Sequence, residues 1–283
     1  MSRYTSLGIG GPAEVMAFPE TAQDLSRILS LAGNKGLPVF ILGRGSNLLV
    51  LDGGIPGIVL NLSKMSWTEV KRSGGAAALH AGAGAGLSRL LDYCMENGLA
   101  GVEFLAGIPG TVGGAVVMNA GTNEAEVKDV LTEVTMMDRG GSSSTVPASE
   151  LRMSYRHTEI PAGSVVIEAV FAVIPWPREE VREKVAARMR KRNATQPVGA
   201  WSAGSTFKNP PGYSAWRLID MAGLRGRSVG GAQVSTVHTN FLINTGGATA
   251  RDYKALMDIV VDTVKERLHV ALEPEIRVVG VEG

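Results

Sequence analysis

Apolar residues recur at helical spacing in some stretches of this chain and gather in short runs in others. Leu25, Ile28, Leu29 and Ala32 follow a Thr21 and Asp24 capping pair and give out at Gly33 and Gly36, which predicts a first helix. Apolar runs at 39–42, 48–51 and 58–62, separated by glycine clusters at 43–45 and 53–57, predict three short buried strands. A further strand at 77–81 leads through Gly82, Gly84 and Gly86 into a second helix carrying Leu87, Leu90, Leu91, Cys94 and Met95.

Residues 101–121 are glycine-rich with little periodicity. Strands follow at 131–138 and 165–174, on either side of a Gly140-Gly141 turn and a polar stretch. Pro175 and Pro177 then break the chain ahead of a charged helix over 178–193, in which Val181, Val185 and Met189 are the apolar positions. The remainder predicts a helix at 216–222, a strand at 241–243, a long amphipathic helix with Tyr253, Leu256, Met257, Val260, Val264 and Leu268, and a final strand at 276–279. The proline pair is taken as a domain boundary, giving 1–175 and 176–283. Strand and helix do not alternate regularly enough for a doubly wound sheet, so the fold class expected is α+β.

Composition narrows the partners. At 283 residues and 45% hydrophobic the chain can bury substantial cores in two domains. Lys plus Arg, 28, nearly cancels Asp plus Glu, 27, without a basic block, which argues against nucleic acid or an anionic membrane and favours a small molecule. No apolar run approaches the roughly 20 residues that cross a bilayer. The N-terminal residues carry no apolar signal segment, and the single cysteine, Cys94, has no internal partner, so a reducing cytoplasm is expected. Cys94 lies on the apolar side of its helix and is read as packing.

The 36 glycines are clustered without a fixed period, which marks places where backbone approaches something closely. Residues 82–87 (GAGAGL) sit between a strand and a helix like a dinucleotide fingerprint, but Leu87 stands where the third glycine belongs, so a tight structural turn is expected there. Residues 42–48 (LGRGSNL) can turn successive N–H groups toward a phosphate, with Arg44 adding charge, or can simply form a hairpin loop. Residues 107–115 (GIPGTVGGA), continuing to Asn119, Ala120 and Gly121, offer a second bare-backbone surface suited to a flat ligand. Two such surfaces imply a large cofactor. Residues 202–210 (SAGSTFKNP) place a hydroxyl, an ammonium and an amide between glycine and proline breakers, a composition that suits a site rather than a core strand.

The segments 9–13 (IGGPA), 43–50 (GRGSNLLV), 107–121 (GIPGTVGGAVVMNAG), 154–156 (SYR), 203–210 (AGSTFKNP), 230–238 (GGAQVSTVH) and 274–276 (PEI) occur in an order spanning almost the whole chain that resembles the UDP-N-acetylenolpyruvoylglucosamine reductases of bacterial peptidoglycan synthesis. Segments 9–13, 43–50 and 107–114 resemble flavoproteins of the vanillyl-alcohol oxidase/PCMH type more widely. The resemblance implies that 1–175 binds FAD through two α+β lobes, about 1–63 and 64–175, and that 176–283 binds substrate. Gly43, Arg44, Gly45, Ser46, Asn47 and Leu48 are then expected at the pyrophosphate. Gly107, Ile108, Pro109, Gly110, Gly113, Gly114, Asn119, Ala120 and Gly121 are expected along the flavin and ribityl chain. NADPH is the implied reductant, no metal is implied, and a monomer is expected.

The reaction so implied is reduction of an enol ether bearing a carboxylate, which needs a hydride at one alkene carbon, a proton at the other, and a cation for the charge that builds on the carboxylate. The motif match gives Arg156 and Glu275 to the intermediate and Ser205 to the proton, with Tyr155, Lys208, Asn209 and Arg225 as substrate contacts. His238 is left outside the catalytic set. Some members carry an extra loop with a substrate-contacting Tyr, and this chain resembles the shorter subclass without it. Two rival readings are another FAD-dependent sugar or alcohol oxidase of the same fold and a non-catalytic flavin or nucleotide-sugar binding protein.

Overall fold

A computed structural model describes residues 1–73 and 76–283. The chain forms two compact units, each assembled from separated segments. One comprises Met1–Glu14, Gly45–Pro56 and Arg192–Gly283, and the other Val15–Arg44 and Gly57–Lys191. Six α-helices are described: α1 (Ala22–Asn34), α2 (Leu87–Asn97), α3 (Val112–Val117), α4 (Arg178–Thr195), α5 (Ala215–Met221) and α6 (Ala250–Leu268).

The larger unit is built on an antiparallel sheet in the order Thr68–Ser73, Ala76–Gly82, Val165–Pro175, Leu131–Met137, Ser143–Pro147. Leu99–Ala100 also pairs with Val165–Pro175. Val165–Pro175 is central and reads as an almost continuous apolar run because both of its faces are covered over most of its length. The two outer strands, TEVKRS and SSTVP, lack that signature and escape a hydrophobic-run reading. Their polar side chains belong to sheet edges, where water meets the strand.

Helix α2 buries Leu87, Leu90, Leu91 and Cys94 in the core of this unit, as its spacing predicts. Burial pushes the Cys94 thiol up to about 12, with Glu103 adding to the effect. Helix α1 starts on the predicted capping box: Thr21 Oγ1 accepts from the Asp24 N–H at 3.1 Å and the Asp24 carboxylate accepts from the Thr21 N–H at 3.1 Å. The Thr21 hydroxyl, donating to the same carboxylate at 2.8 Å, and the Thr21 N–H hold the Asp24 carboxyl below its ordinary range. Val39–Leu42 and Ile55–Asn61 pair in parallel, and Ala13–Ala17, which the sequence reading did not predict, borders Ile55–Asn61.

Pro175 ends a strand and α4 begins at Arg178, so the proline pair does mark a change of element. It does not separate the compact units, because Val185 on α4 packs into the same core as the preceding sheet.

The smaller unit has a four-stranded antiparallel sheet in the order Trp201–Ser202, Leu242–Asn244, Ala232–Val234, Ser228–Val229. Its core joins α5 and α6 (Leu218, Ile219, Tyr253, Leu256, Val260) to residues from both other segments of the unit, such as Leu7 and Leu49. Asp52, from the second segment, caps α6: its carboxylate oxygens accept from the N–H groups of Ala250 at 2.9 Å and Arg251 at 3.1 Å. Arg277–Val279 pairs in parallel with Leu48–Val50, which brings the end of the chain beside the end of the first glycine loop.

Candidate functional site

In the smaller unit three of the segments singled out by sequence lie side by side. The Glu275 N–H donates to the Thr206 carbonyl at 2.8 Å, the Lys208 N–H to the Glu273 carbonyl at 2.8 Å, and Phe207 bridges to Pro274. Asn47 Nδ2 donates to the Glu275 carbonyl at 3.1 Å, and the Arg277 N–H to the Asn47 carbonyl at 3.0 Å. Backbone pairing therefore places Ser205 and Glu275 on adjoining stretches of chain, with Asn47 fastened to the second.

Ser205 itself is half-buried, and its hydroxyl has no hydrogen-bond partner among the described residues. Its neighbours are fixed. Thr206 is fully buried, and its Oγ1 accepts from the Leu242 N–H at 3.3 Å and lies 3.4 Å from Tyr253 Oη. Tyr253 Oη in turn donates to the Leu242 carbonyl at 3.2 Å, and burial raises the Tyr253 phenol well above its ordinary value. Asn240 closes the other side, accepting from the Phe207 N–H at 3.0 Å and donating to the Phe207 carbonyl at 2.8 Å. Gly204 has φ +78°, and a methyl group built there would meet no described atom within 4 Å. The result is a hydroxyl carried on a backbone whose neighbouring residues are held by buried hydrogen bonds.

The other substrate candidates in this unit are partly committed. Lys208 Nζ lies 2.5 Å from Glu273 Oε1. Asn209 Oδ1 accepts from the Ala215 N–H at 2.9 Å at the start of α5, which leaves its amide nitrogen as the group to offer. Arg225 Nε donates to Asp220 at 2.8 Å and Nη1 to the Thr236 carbonyl, and the Asp220 hydrogen bond raises the Arg225 guanidinium while lowering the Asp220 carboxyl. His238 stacks edge-on against Phe241, its Nδ1 is buried without a partner among the described residues, and burial lowers its pKa.

In the larger unit Arg156 is the second residue of the two-residue turn joining Met153–Ser154 to His157–Thr158. Its φ is +57°, a left-handed conformation that costs a non-glycine residue about 1–3 kcal/mol and is typically retained where the surroundings enforce it. The surroundings are specific. Arg156 Nη2 donates to the Gly121 carbonyl at 3.1 Å, Nη1 lies 3.5 Å from Glu126 Oε1, and the guanidinium sits over the Tyr155 ring at 4.7 Å. Asn119, also left-handed at φ +40°, is fully buried; Nδ2 donates to Glu126 Oε2 at 3.0 Å and to the Ser154 carbonyl at 2.9 Å, while Oδ1 accepts from the Lys128 N–H at 2.9 Å. Its side chain is spent inside the protein, so only its main chain can face a cofactor.

The glycine segments can be tested against a large cofactor. Among the described residues the N–H groups of Arg44 and Gly45 have no acceptor, and Gly45 holds φ +64° with its missing Cβ position 2.1 Å from the Tyr4 carbonyl oxygen. Only glycine permits that turn, and it leaves donors of the kind a phosphate takes. A Cβ on Gly43 would stand 2.7 Å from Thr111 Oγ1. The first N–H groups of α3 are used internally: Val112 donates to Ala85 at 2.9 Å, Gly113 to Ala83 at 2.9 Å and Gly114 to Thr111 Oγ1 at 3.4 Å. Residues 107–114 thus suit the flat part of a ligand rather than its phosphates. Residues 82–87 form a structural turn, since a Cβ on Gly84 would lie 1.7 Å from the Leu62 carbonyl oxygen.

Sequence reasoning passed over Glu126, Thr206 and Asn240. Glu126 falls in a polar stretch with no periodicity, and only its closeness to the 119–121 segment could have signalled it. Thr206 and Asn240 are buried polar groups, which a single sequence does not distinguish from exposed ones.

Residues 13–146 match the family described as "FAD binding domain", and residues 196–279 match "UDP-N-acetylenolpyruvoylglucosamine reductase, C-terminal domain". The chain is 44% identical over 282 residues to the UDP-N-acetylenolpyruvoylglucosamine reductase of Pelobacter propionicus, covering 100% of this chain and 94% of that one. It is 43% identical over 283 residues to the protein of the same name from a Bradyrhizobium species, covering 100% and 91%. The crystal structure of UDP-N-acetylenolpyruvylglucosamine reductase (MurB) from Thermus caldophilus superposes with a TM-score of 0.85 at 39% identity, over 98% of this chain and 96% of that one.

Proposed function

Since the chain belongs to the UDP-N-acetylenolpyruvoylglucosamine reductases, FAD-dependent oxidoreductases of peptidoglycan synthesis with a cofactor-binding fold of the vanillyl-alcohol oxidase type, we propose that it reduces the enolpyruvyl ether of UDP-N-acetylglucosamine to UDP-N-acetylmuramate with NADPH as reductant. The residues that would hold FAD are the 43–48 loop at the phosphates and 107–114 with the 119–121 main chain at the flavin. When bound, FAD supplies the two-electron transfer, from NADPH to the alkene.

Everything else falls to side chains of this protein. Arg156, a permanent cation with a planar fork, binds the substrate carboxylate and stabilises the negative charge that gathers there as the alkene is reduced. Glu275 joins it in stabilising that enolate-like intermediate. Ser205 donates a proton to the carbon next to the carboxylate. A serine hydroxyl is a weak acid, but the intermediate is a strong base, so the transfer runs downhill once the two are aligned. Lys208, Asn209, Arg225 and Tyr155 bind the remainder of the substrate, with the cations on its diphosphate. As a member of the shorter subclass, the protein does this without the inserted loop and its tyrosine.

The observation that supports this reading is the backbone hydrogen bond from the Glu275 N–H to the Thr206 carbonyl, which puts the stretch carrying Ser205 next to the stretch carrying Glu275. The decisive experiment follows the two half-reactions of Ser205→Ala separately. Bleaching of the flavin absorbance by NADPH should persist, while product formation from the enolpyruvyl sugar falls by orders of magnitude. A colourless protein that takes up no FAD would refute the reading. Oxygen consumption with a simple sugar would point to an oxidase instead, and FAD uptake without turnover to a binding protein.

A further inference from the structure

We propose that Glu126 is a positioning residue for Arg156, holding the guanidinium in the orientation the substrate carboxylate requires; the inference rests on the reading of Arg156 given above. Two of the three left-handed non-glycine residues among those described, Asn119 and Arg156, are joined through this one carboxylate, the third being His269 at the end of α6. Glu126 Oε1 faces Arg156 Nη1 at 3.5 Å, while Oε2 takes Asn119 Nδ2 at 3.0 Å and Lys128 Nζ at 2.8 Å. The Glu126 side chain is only 14% exposed and that of Arg156 15%.

The contacts close a ring. Asn119 Nδ2 holds both Glu126 and the Ser154 carbonyl, Ser154 leads through Tyr155 to Arg156, and Arg156 returns to Glu126 and to the Gly121 carbonyl. Gly121 and Glu126 are themselves bridged across the loop between them. The guanidinium is therefore fixed at two nitrogens from one side, and its orientation does not have to be found anew when a carboxylate arrives. Lys128 shares the Glu126 charge, so the trio of Glu126, Lys128 and Arg156 stays net cationic and can still attract an anion. That sharing separates orientation from neutralisation, and explains why a carboxylate can sit beside a cation whose work is electrostatic.

The test compares Glu126→Gln, Arg156→Lys and the double variant in the FAD-loaded enzyme, measuring flavin reduction by NADPH and flavin reoxidation by the enolpyruvyl sugar as separate rates. An amide at 126 keeps an acceptor for Asn119 but removes the charge and turns a donor toward the guanidinium. Glu126→Gln should slow reoxidation about 10- to 100-fold, leave flavin reduction and melting temperature unchanged, and add less than about 2-fold to the loss in Arg156→Lys, as residues acting through one another do. Glu126→Asp, which keeps the charge on a shorter stem, should fall between wild type and Glu126→Gln. Wild-type reoxidation in Glu126→Gln, or multiplying losses in the double variant, overturns the proposal. Loss of flavin or of folded protein in both position-126 variants makes Glu126 structural and overturns it as well. Wild-type reoxidation in Arg156→Lys removes Arg156 from the chemistry, and the proposal falls together with the reading beneath it.

Discussion

Asn47 donates its side-chain amide to the main-chain carbonyl of Glu275 at 3.1 Å and receives the Arg277 N–H on its own carbonyl at 3.0 Å. A residue expected at a cofactor phosphate thus also clasps the backbone that presents a proposed catalytic carboxylate. A change at 47 is then felt at 275 without any alteration to Glu275 itself.

Asn47→Ala should lower turnover by about 10-fold, the loss expected when one hydrogen bond worth roughly 1–1.5 kcal/mol stops fixing a reacting group. The deficit should appear in the half-reaction that consumes the enolpyruvyl sugar. If the only change were weaker FAD retention, with the per-flavin rate intact, Asn47 would be serving the cofactor alone.

Thr206→Val keeps the shape of the side chain but removes the acceptor for the buried Leu242 N–H and the contact to Tyr253 Oη. Stranding a buried donor costs about 1–3 kcal/mol, so the melting temperature should fall by several degrees and turnover with it, because Ser205 hangs on this backbone. An unchanged melting curve would show that the Thr206 hydroxyl contributes nothing to holding this segment.

Gly84→Ala and Gly204→Ala separate two kinds of glycine. A methyl group at 84 would press on the Leu62 carbonyl at 1.7 Å, and one at 204 would meet no described atom but would sit at φ +78°. The first substitution should destabilise by about 3 kcal/mol or more through backbone displacement, and the second by roughly 1 kcal/mol from conformation alone. Denaturant midpoints measured side by side decide it; equal losses would contradict the steric account.

Cys94 should resist thiol reagents at pH 8 in the folded protein and react on unfolding, because burial pushes its thiol up to about 12 and little thiolate forms. The same shift has a sign for stability. The folded state holds the proton more tightly than the unfolded chain, whose thiol titrates near 9, so the contribution is complete below pH 9 and is lost as the pH rises from there toward 12. Cys94→Ala should therefore show a shallower fall in melting temperature above pH 9 than the parent, and matching slopes would remove Cys94 from the alkaline response.

Helices α1, α2 and α6 were legible because each carries a physical signature: the Thr21–Asp24 capping box opens α1, and the apolar positions of α2 and α6 face their cores as spaced, whereas the short glycine-containing α3 carries none. Val165–Pro175 was legible as a buried strand for the same reason. Thr68–Ser73 and Ser143–Pro147 were not, since an edge strand can be mostly polar, with a single valine in each to meet the core. The motif segments were located, and the structure joins 47, 206–208 and 273–277 through hydrogen bonds to main-chain carbonyls that no sequence pattern announces. The proline pair and the compact units report different things. The pair reports a local break in hydrogen bonding, whereas the grouping of segments into compact units follows from burial across long sequence separations.

That grouping bears on how the protein is made. The unit carrying Ser205 and Glu275 requires Met1–Glu14 and Gly45–Pro56 to wait for Arg192–Gly283, so its core cannot close until that last segment has been made. The unit ending at Lys191 has all its parts well before then and is free to fold on the ribosome. During that interval Leu7, Ile9, Leu49 and Leu51 have no core of their own to enter, so their apolar surface stays uncovered on the growing chain.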